Sequence, residues 1–151
     1  MTFMGRFQFR FDTLKKIRES ERQQRRLELA QALQAEQLVE TQIHQLEAEE
    51  QETRTRCQAA AGPGRVDVDT LLDIHRYAAI LKVRVQLLRD QLARLRTEIE
   101  RRRQVLVEAD RQVRVLEKLR ERQWDEYCLA ESRREVKNMD EVAQRSVRHG
   151  T

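Results

Sequence analysis

The sequence predicts an all-α fold, a long antiparallel two-helix coiled-coil hairpin with unequal arms. Three observations carry that expectation. The 151 residues hold only 4 Gly and 1 Pro, and these fall at Gly5, Gly62, Pro63, Gly64 and Gly150. Sandwiches, barrels and doubly wound sheets need turn residues every ~10 to 15 positions, so two long uninterrupted segments exclude them. Apolar residues then recur in alternating steps of three and four from Leu71 to Leu116. Finally, 37% of the residues are charged and only 5% aromatic, which is thin material for a globular core but suits a solvated helix pair.

The first helix is expected over residues 12–61, with Asp12 as its N-cap and Ala59, Ala60 and Ala61 running into Gly-Pro-Gly. Its seam is irregular: Leu14 and Ile17, a polar interval rich in Arg and Gln, then Leu29, Ala32, Glu36, Val39, Ile43 and Leu46. The turn, 62–66, is short enough to force antiparallel neighbours. The second helix, 67–147, starts at Asp67, which can cap it while Val66 packs on Leu71 as a hydrophobic staple. Its seam is Leu71, Ile74, Ala78, Leu81, Val85, Leu88, Leu92, Leu95, Ile99, Arg102, Leu106, Ala109, Val113 and Leu116, and thirteen of these fourteen are apolar. A 3.5-residue repeat keeps one stripe against a partner helix over many turns. The next positions in register are Arg120, Gln123, Tyr127, Ala130 and Arg134, so the stripe fails near Leu116. There the second arm also starts to outrun the first, by ~50 Å in all at ~1.5 Å per residue. This overhang is either a place for a partner to bind or a solvated terminus.

The net charge of +4 combines 30 basic and 26 acidic residues interspersed along the same segments. That mixture does not suit a dedicated nucleic-acid binder, although an acidic protein surface fits it. Cys57 and Cys128 fall ~80 Å apart along the arms of such a hairpin, too far for a disulfide, which suits a reducing cytoplasm. No apolar run reaches the length of a membrane span, and the N-terminus lacks a signal-peptide core. Gly62-Pro-Gly64 is read as a turn rather than a phosphate loop. His44, His75 and His149 do not converge on a metal, the first two lying ~10 Å or more apart along the axis. No cofactor is expected. A cysteine nucleophile needs a base held in a water-excluding pocket, which a two-helix rod lacks, so no enzyme activity is expected. The run Arg101, Arg102 and Arg103 could grip phosphates, but its flanking Glu98, Glu100 and Glu108 favour a solvated, seam-breaking cluster.

The aromatic residues are placed unevenly. Phe3, Phe7, Phe9 and Phe11 all precede the first helix, and Trp124 and Tyr127 lie near the start of the overhang. The phenylalanines either fold onto Leu116 and Leu119 as a cap or form an exposed anchor, and the clustering of rings at the open end favours an interface.

Two segments resemble the FliJ family of bacterial flagellar export proteins. The first is Phe7-Gln-Phe-Arg-Phe-Asp-Thr-Leu-Lys-Lys-Ile-Arg-Glu19, similar to the family's opening of alternating phenylalanine and basic residues. The second is Leu116-Glu-Lys-Leu-Arg-Glu-Arg-Gln-Trp-Asp-Glu-Tyr127, followed by Glu131, Arg134, Glu135, Lys137 and Met139-Asp-Glu-Val-Ala-Gln-Arg145. The resemblance implies a non-catalytic cytoplasmic component, peripheral to the inner membrane and not inserted in it. Such proteins look like the central stalk of rotary ATPases, and their implied partners are the hexameric export ATPase, the FlhA-like export gate and empty export chaperones. The implied ATPase-binding residues are Phe7, Phe9, Phe11, Glu117, Leu119, Arg122, Gln123, Tyr127, Glu135, Met139, Asp140 and Glu141. The implied gate-binding residues are Tyr77, Leu81 and Leu88, of which Leu81 and Leu88 are also seam positions. The alternatives are the equivalent YscO-like stalk of a virulence-type secretion system, a generic structural coiled coil, and a nucleic-acid-binding coiled coil resting on the arginine excess alone.

Overall fold

The computed structural model describes residues 6–148, so Phe3, Gly5, His149 and Gly150 lie outside the described residues. The chain is all-α, built of α1 (Asp12–Ala60) and α2 (Val68–Arg148), with no strand among the described residues. It divides into two compact units, Arg25–Leu106 and the combination of Met1–Gln24 with Val107–Thr151.

The helix ends follow from local hydrogen bonding. The Lys15 N–H donates to the Phe11 carbonyl at 2.9 Å, which makes Phe11, and not Asp12, the capping residue of α1. Asp12 instead occupies the first turn, where an anion complements the helix dipole, 3.2 Å from Lys16 Nζ. At the other end, the Ala61 and Gly62 N–H groups donate to the Cys57 and Ala59 carbonyls and close the last turn. Gly64 then takes φ 138°, a conformation that a Cβ would strain. Asp67 caps α2 as its sequence position predicts: the Leu71 N–H donates to its carbonyl, the Asp69 N–H to Oδ1 and the Thr70 hydroxyl to Oδ2 at 2.6 Å. The Thr70 bond is the main cause holding the Asp67 carboxyl below its usual value.

Within Arg25–Leu106 the helices form an antiparallel hairpin. Val39, Ile43 and Val85 make a buried cluster, with Leu46, Leu88, Leu92 and Leu95 packed against it. Leu81 is completely buried. Thr53 continues the seam of α1 as a buried polar residue whose hydroxyl donates to the Glu49 carbonyl at 2.8 Å, so no polar atom is stranded. Cross-helix pairs run in descending order along α2: Arg96 with Glu36 and Glu40, Arg89 with Glu47, and Tyr77 with Glu49. Exposed pairs are worth only ~0 to 1 kcal/mol each, so they record the register that the apolar seam imposes.

Arg102 shows how a charge is accommodated on the seam. Its Nε donates to Glu98 at 2.9 Å and another guanidinium nitrogen reaches the Glu28 carbonyl of α1 at 2.5 Å. Arg101 holds both oxygens of Glu98, at 2.9 and 2.7 Å, and Arg103 pairs with Glu100. The arginine run is therefore engaged with carboxylates. Hydrogen bonds from Arg101 and Arg102 lower the Glu98 carboxyl from 4.5 to about 2.

Two predictions follow from this unit's packing and charge. Leu81→Ala removes a fully buried side chain from a thin core and is expected to cost ~2 to 5 kcal/mol, read as a lower Tm by circular dichroism. Because the Glu98 carboxyl is depressed in the folded state, its stabilisation is present above the ordinary carboxylate range and lost as pH falls through about 2. The stability difference between wild type and Glu98→Gln should hold steady from neutral pH down to ~5 and close as pH approaches 2. A difference unchanged across the acid range would contradict the assignment.

Candidate functional site

In the unit formed by Met1–Gln24 and Val107–Thr151, residues 6–9 run without regular structure into a turn at residues 10 and 11. This segment lies along α2. The Phe7 ring meets Trp124 edge-on at 5.2 Å and Tyr127 at 5.6 Å, while Trp124 and Tyr127 stack at 5.8 Å. Phe9 is buried at 8% exposure and packs against Phe11 at 5.9 Å, whose ring also carries the Arg10 guanidinium at 5.6 Å. Of the two readings left open by the sequence, Phe7 follows the cap in folding onto α2, at Trp124 and Tyr127 where the expectation had named Leu116 and Leu119. The ring contacts to α2 are those of Phe7 with Trp124 and Tyr127.

The cap moves the start of the unpaired helix. Leu116, Glu117, Leu119, Gln123, Tyr127 and Glu131 are half-buried, and every residue from Ser132 to Arg148 is exposed. The overhang expected to begin near Leu116 begins after Glu131.

Leu14 and Ile17 are also corrected. Both are exposed, and the inward-facing positions of this turn region of α1 are Lys15, Arg18 and Arg22. Arg22 pairs with Asp110 of α2 at 3.3 Å, and Arg114 holds the same carboxylate at 2.9 Å. Long basic stems can cover apolar surface while their heads find carboxylates, so a seam can be lined by residues that a hydropathy pattern scores as polar.

Beside the ring cluster lies a cleft of about 730 Å³ lined by Arg6, Phe7, Lys15, Glu117, Arg120, Glu121 and Trp124. Arg6 and Arg120 have no ion-pair partner among the described residues, whereas Lys15 reaches Glu19 at 3.0 Å. An aromatic wall beside unpaired guanidinium groups can receive an apolar side chain next to a carboxylate. Of the residues expected at the ATPase, Phe7, Glu117 and Tyr127 belong to this cluster or its cleft. Phe9 is buried against Phe11, and Phe11, Leu119 and Gln123 are half-buried. Arg122 is exposed, and Glu135, Met139, Asp140 and Glu141 lie on the exposed end of α2. Arg6, Lys15 and Arg120 escaped the sequence reading. The signal for Arg120 was its position, the first charge in the seam register after Leu116.

The residues expected at the gate sit in Arg25–Leu106. Tyr77 keeps a partly exposed ring, and its hydroxyl donates to the Glu49 carboxylate, which pushes the phenol above its usual value. Leu81 is buried and Leu88 packs on the hairpin core, so Leu81 offers a partner no surface and Leu88 faces inward. On the outer side of the same stretch, Leu72, Ile80, Val83 and Leu87 are all exposed. At ~100° per residue they fall within ~80° of one another, opposite the seam. Their spacing was legible, but the stronger seam pattern masked it.

His75 Nε2 lies 3.6 Å from Cys57 Sγ across the hairpin, in a shallow surface groove. Among the described residues no three of His, Cys, Asp and Glu gather as metal ligands, and no helix is long and apolar enough to cross a membrane.

A family model described as the flagellar FliJ protein matches residues 7–151. No curated protein and no solved structure matches the chain.

Trp124 is the sole tryptophan, so its fluorescence reports on the cap directly. Phe7→Ala should shift its emission to longer wavelength and weaken the N-terminal contact by ~1 to 3 kcal/mol, with the helical signal unchanged. An unshifted spectrum would show that the segment does not pack on Trp124.

Proposed function

The chain belongs to the flagellar FliJ protein family and is a component of the flagellar export apparatus, and from this premise we propose that it is a non-enzymatic stalk and adaptor that binds and activates the hexameric export ATPase and couples it to the export gate and to export chaperones. The observation that carries this reading is the fully exposed end of α2, residues 132–148, in the same unit as an aromatic and cationic cleft. A helix end that is exposed at every described residue from Ser132 to Arg148, and carries Val136, Met139, Val142 and Val147 among charges, supports a role in contacting other subunits.

In this reading Glu117, Arg122, Glu135, Met139, Asp140 and Glu141 face the ATPase. Phe7, Phe9, Phe11, Leu119, Gln123 and Tyr127 act by holding the cap and the cleft in shape. The gate contact uses the Tyr77 ring and the outer residues Ile80, Val83 and Leu87 in place of the buried Leu81 and the inward-facing Leu88. The protein works in the cytoplasm, peripheral to the membrane-embedded gate.

The test titrates the export ATPase with the full chain, with a version ending at Glu131 that retains the ring cluster, and with one ending at Val115 that loses it. Stimulation by the full chain should fall sharply in the first truncation and vanish in the second. Met139→Glu should weaken the apparent affinity roughly tenfold, the weight of a single anchoring side chain. Equal stimulation by the full chain and the version ending at Glu131, or no binding by the full chain, would overturn the assignment.

A further inference from the structure

The end of α2 carries a second apolar stripe that is separate from the hairpin seam. Leu129, Ser132, Val136, Met139, Ala143 and Ser146 follow one another in steps of three and four. At ~100° per residue this stripe lies on roughly the opposite side of the helix from the register of Leu116, Gln123 and Tyr127. All six residues are exposed, Met139 at 74%. A 3.5-residue repeat is matched best by another helix with the same repeat, and a second copy of this segment supplies one.

The charges beside the stripe choose the orientation. With two copies antiparallel, Val136 of each faces Met139 of the other, Ser132 faces Ala143, and Leu129 faces Ser146. Arg133 of one copy then lies beside Asp140 of the other, twice by symmetry. In a parallel pair, Glu135 would instead lie beside Asp140, also twice, and like charges would repel. Arg133 and Asp140 are exposed and have no ion-pair partner among the described residues. The geometry points to self-association of this protein through the ends of α2, antiparallel, with Val136 and Met139 at the centre and paired Arg133 and Asp140 at the flanks. Two serines in the stripe keep the pairing weak and reversible. It occupies Met139 and Asp140, so engaging another partner through these residues requires the copies to separate.

This inference needs only the purified full chain, so its outcome is independent of whether the ATPase reading holds. Sedimentation equilibrium across about a hundredfold range of concentration should show monomer passing to dimer. Val136→Glu should leave monomer throughout, with an unchanged helical signal because the residue is exposed. Asp140→Arg should weaken the dimer about fivefold or more, and adding Arg133→Asp to it should restore the affinity. A chain that stays monomeric at every concentration, or a dimer indifferent to Val136→Glu, overturns the proposal. So does a dimer strengthened by Asp140→Arg, since that change relieves the repulsion of the parallel pair.

Discussion

A coiled-coil helix is stable only where each turn of its apolar seam is covered, and this requirement organises the molecule. Host propensity contributes little over so long a helix compared with the burial of its stripe. Inside Arg25–Leu106, α1 covers the seam of α2 with Ala32, Val39 and Ile43 and a hydrogen-bonded Thr53. In the other unit, Lys15, Arg18 and Arg22 line α1 where apolar residues would otherwise stand, and the segment carrying Phe7 and Phe9 covers the turns around Trp124 and Tyr127. From Ser132 to Arg148 every residue is exposed, so among the described residues the cover ends at Glu131, beyond the point near Leu116 where the apolar stripe itself fails.

The chain's displaced ionisations are structural in origin. Asp67 is lowered because it caps a helix, Glu98 because two arginines grip it, and Tyr77 is raised because its hydroxyl donates a hydrogen bond to the Glu49 carboxylate, which favours the protonated phenol. Each is explained by one or two neighbouring residues on a helix surface. Displaced groups that gather in a cleft suggest chemistry, whereas these are dispersed along the helices and hold caps and register. The charges that are displaced therefore serve helix capping and helix pairing.

Period and punctuation made most of the fold legible. The 3.5-residue seam identified the helix pair, Gly-Pro-Gly located the reversal, and Asp67 marked the start of α2 through its ability to accept two hydrogen bonds. What the sequence hid involves residues whose role depends on the neighbouring element. A run of alternating phenylalanines reads equally as cap or anchor until the helix beside it is known. Leu14 and Ile17 look like seam residues, yet the stems of Lys15 and Arg22 take the inward positions. Leu81 and Leu88 were candidates for contact through the family resemblance although both are seam positions, and the structure packs them inward while leaving Ile80, Val83 and Leu87 exposed. For the same reason Asp12 failed as a cap: the backbone turn at residues 10 and 11 placed the Phe11 carbonyl first.

Among the described residues the cover of α2 ends at Glu131, and the proposed function assigns residues 132–148 to the export ATPase. Hydrogen–deuterium exchange resolved along α2, with and without the export ATPase, addresses both points directly. The account predicts slow exchange around Leu81 and Val113, fast exchange across residues 132–148 in the free chain, and new protection there when the ATPase is added. Protection of residues 132–148 in the dilute free monomer, or protection by the ATPase confined to Arg25–Leu106, would contradict it.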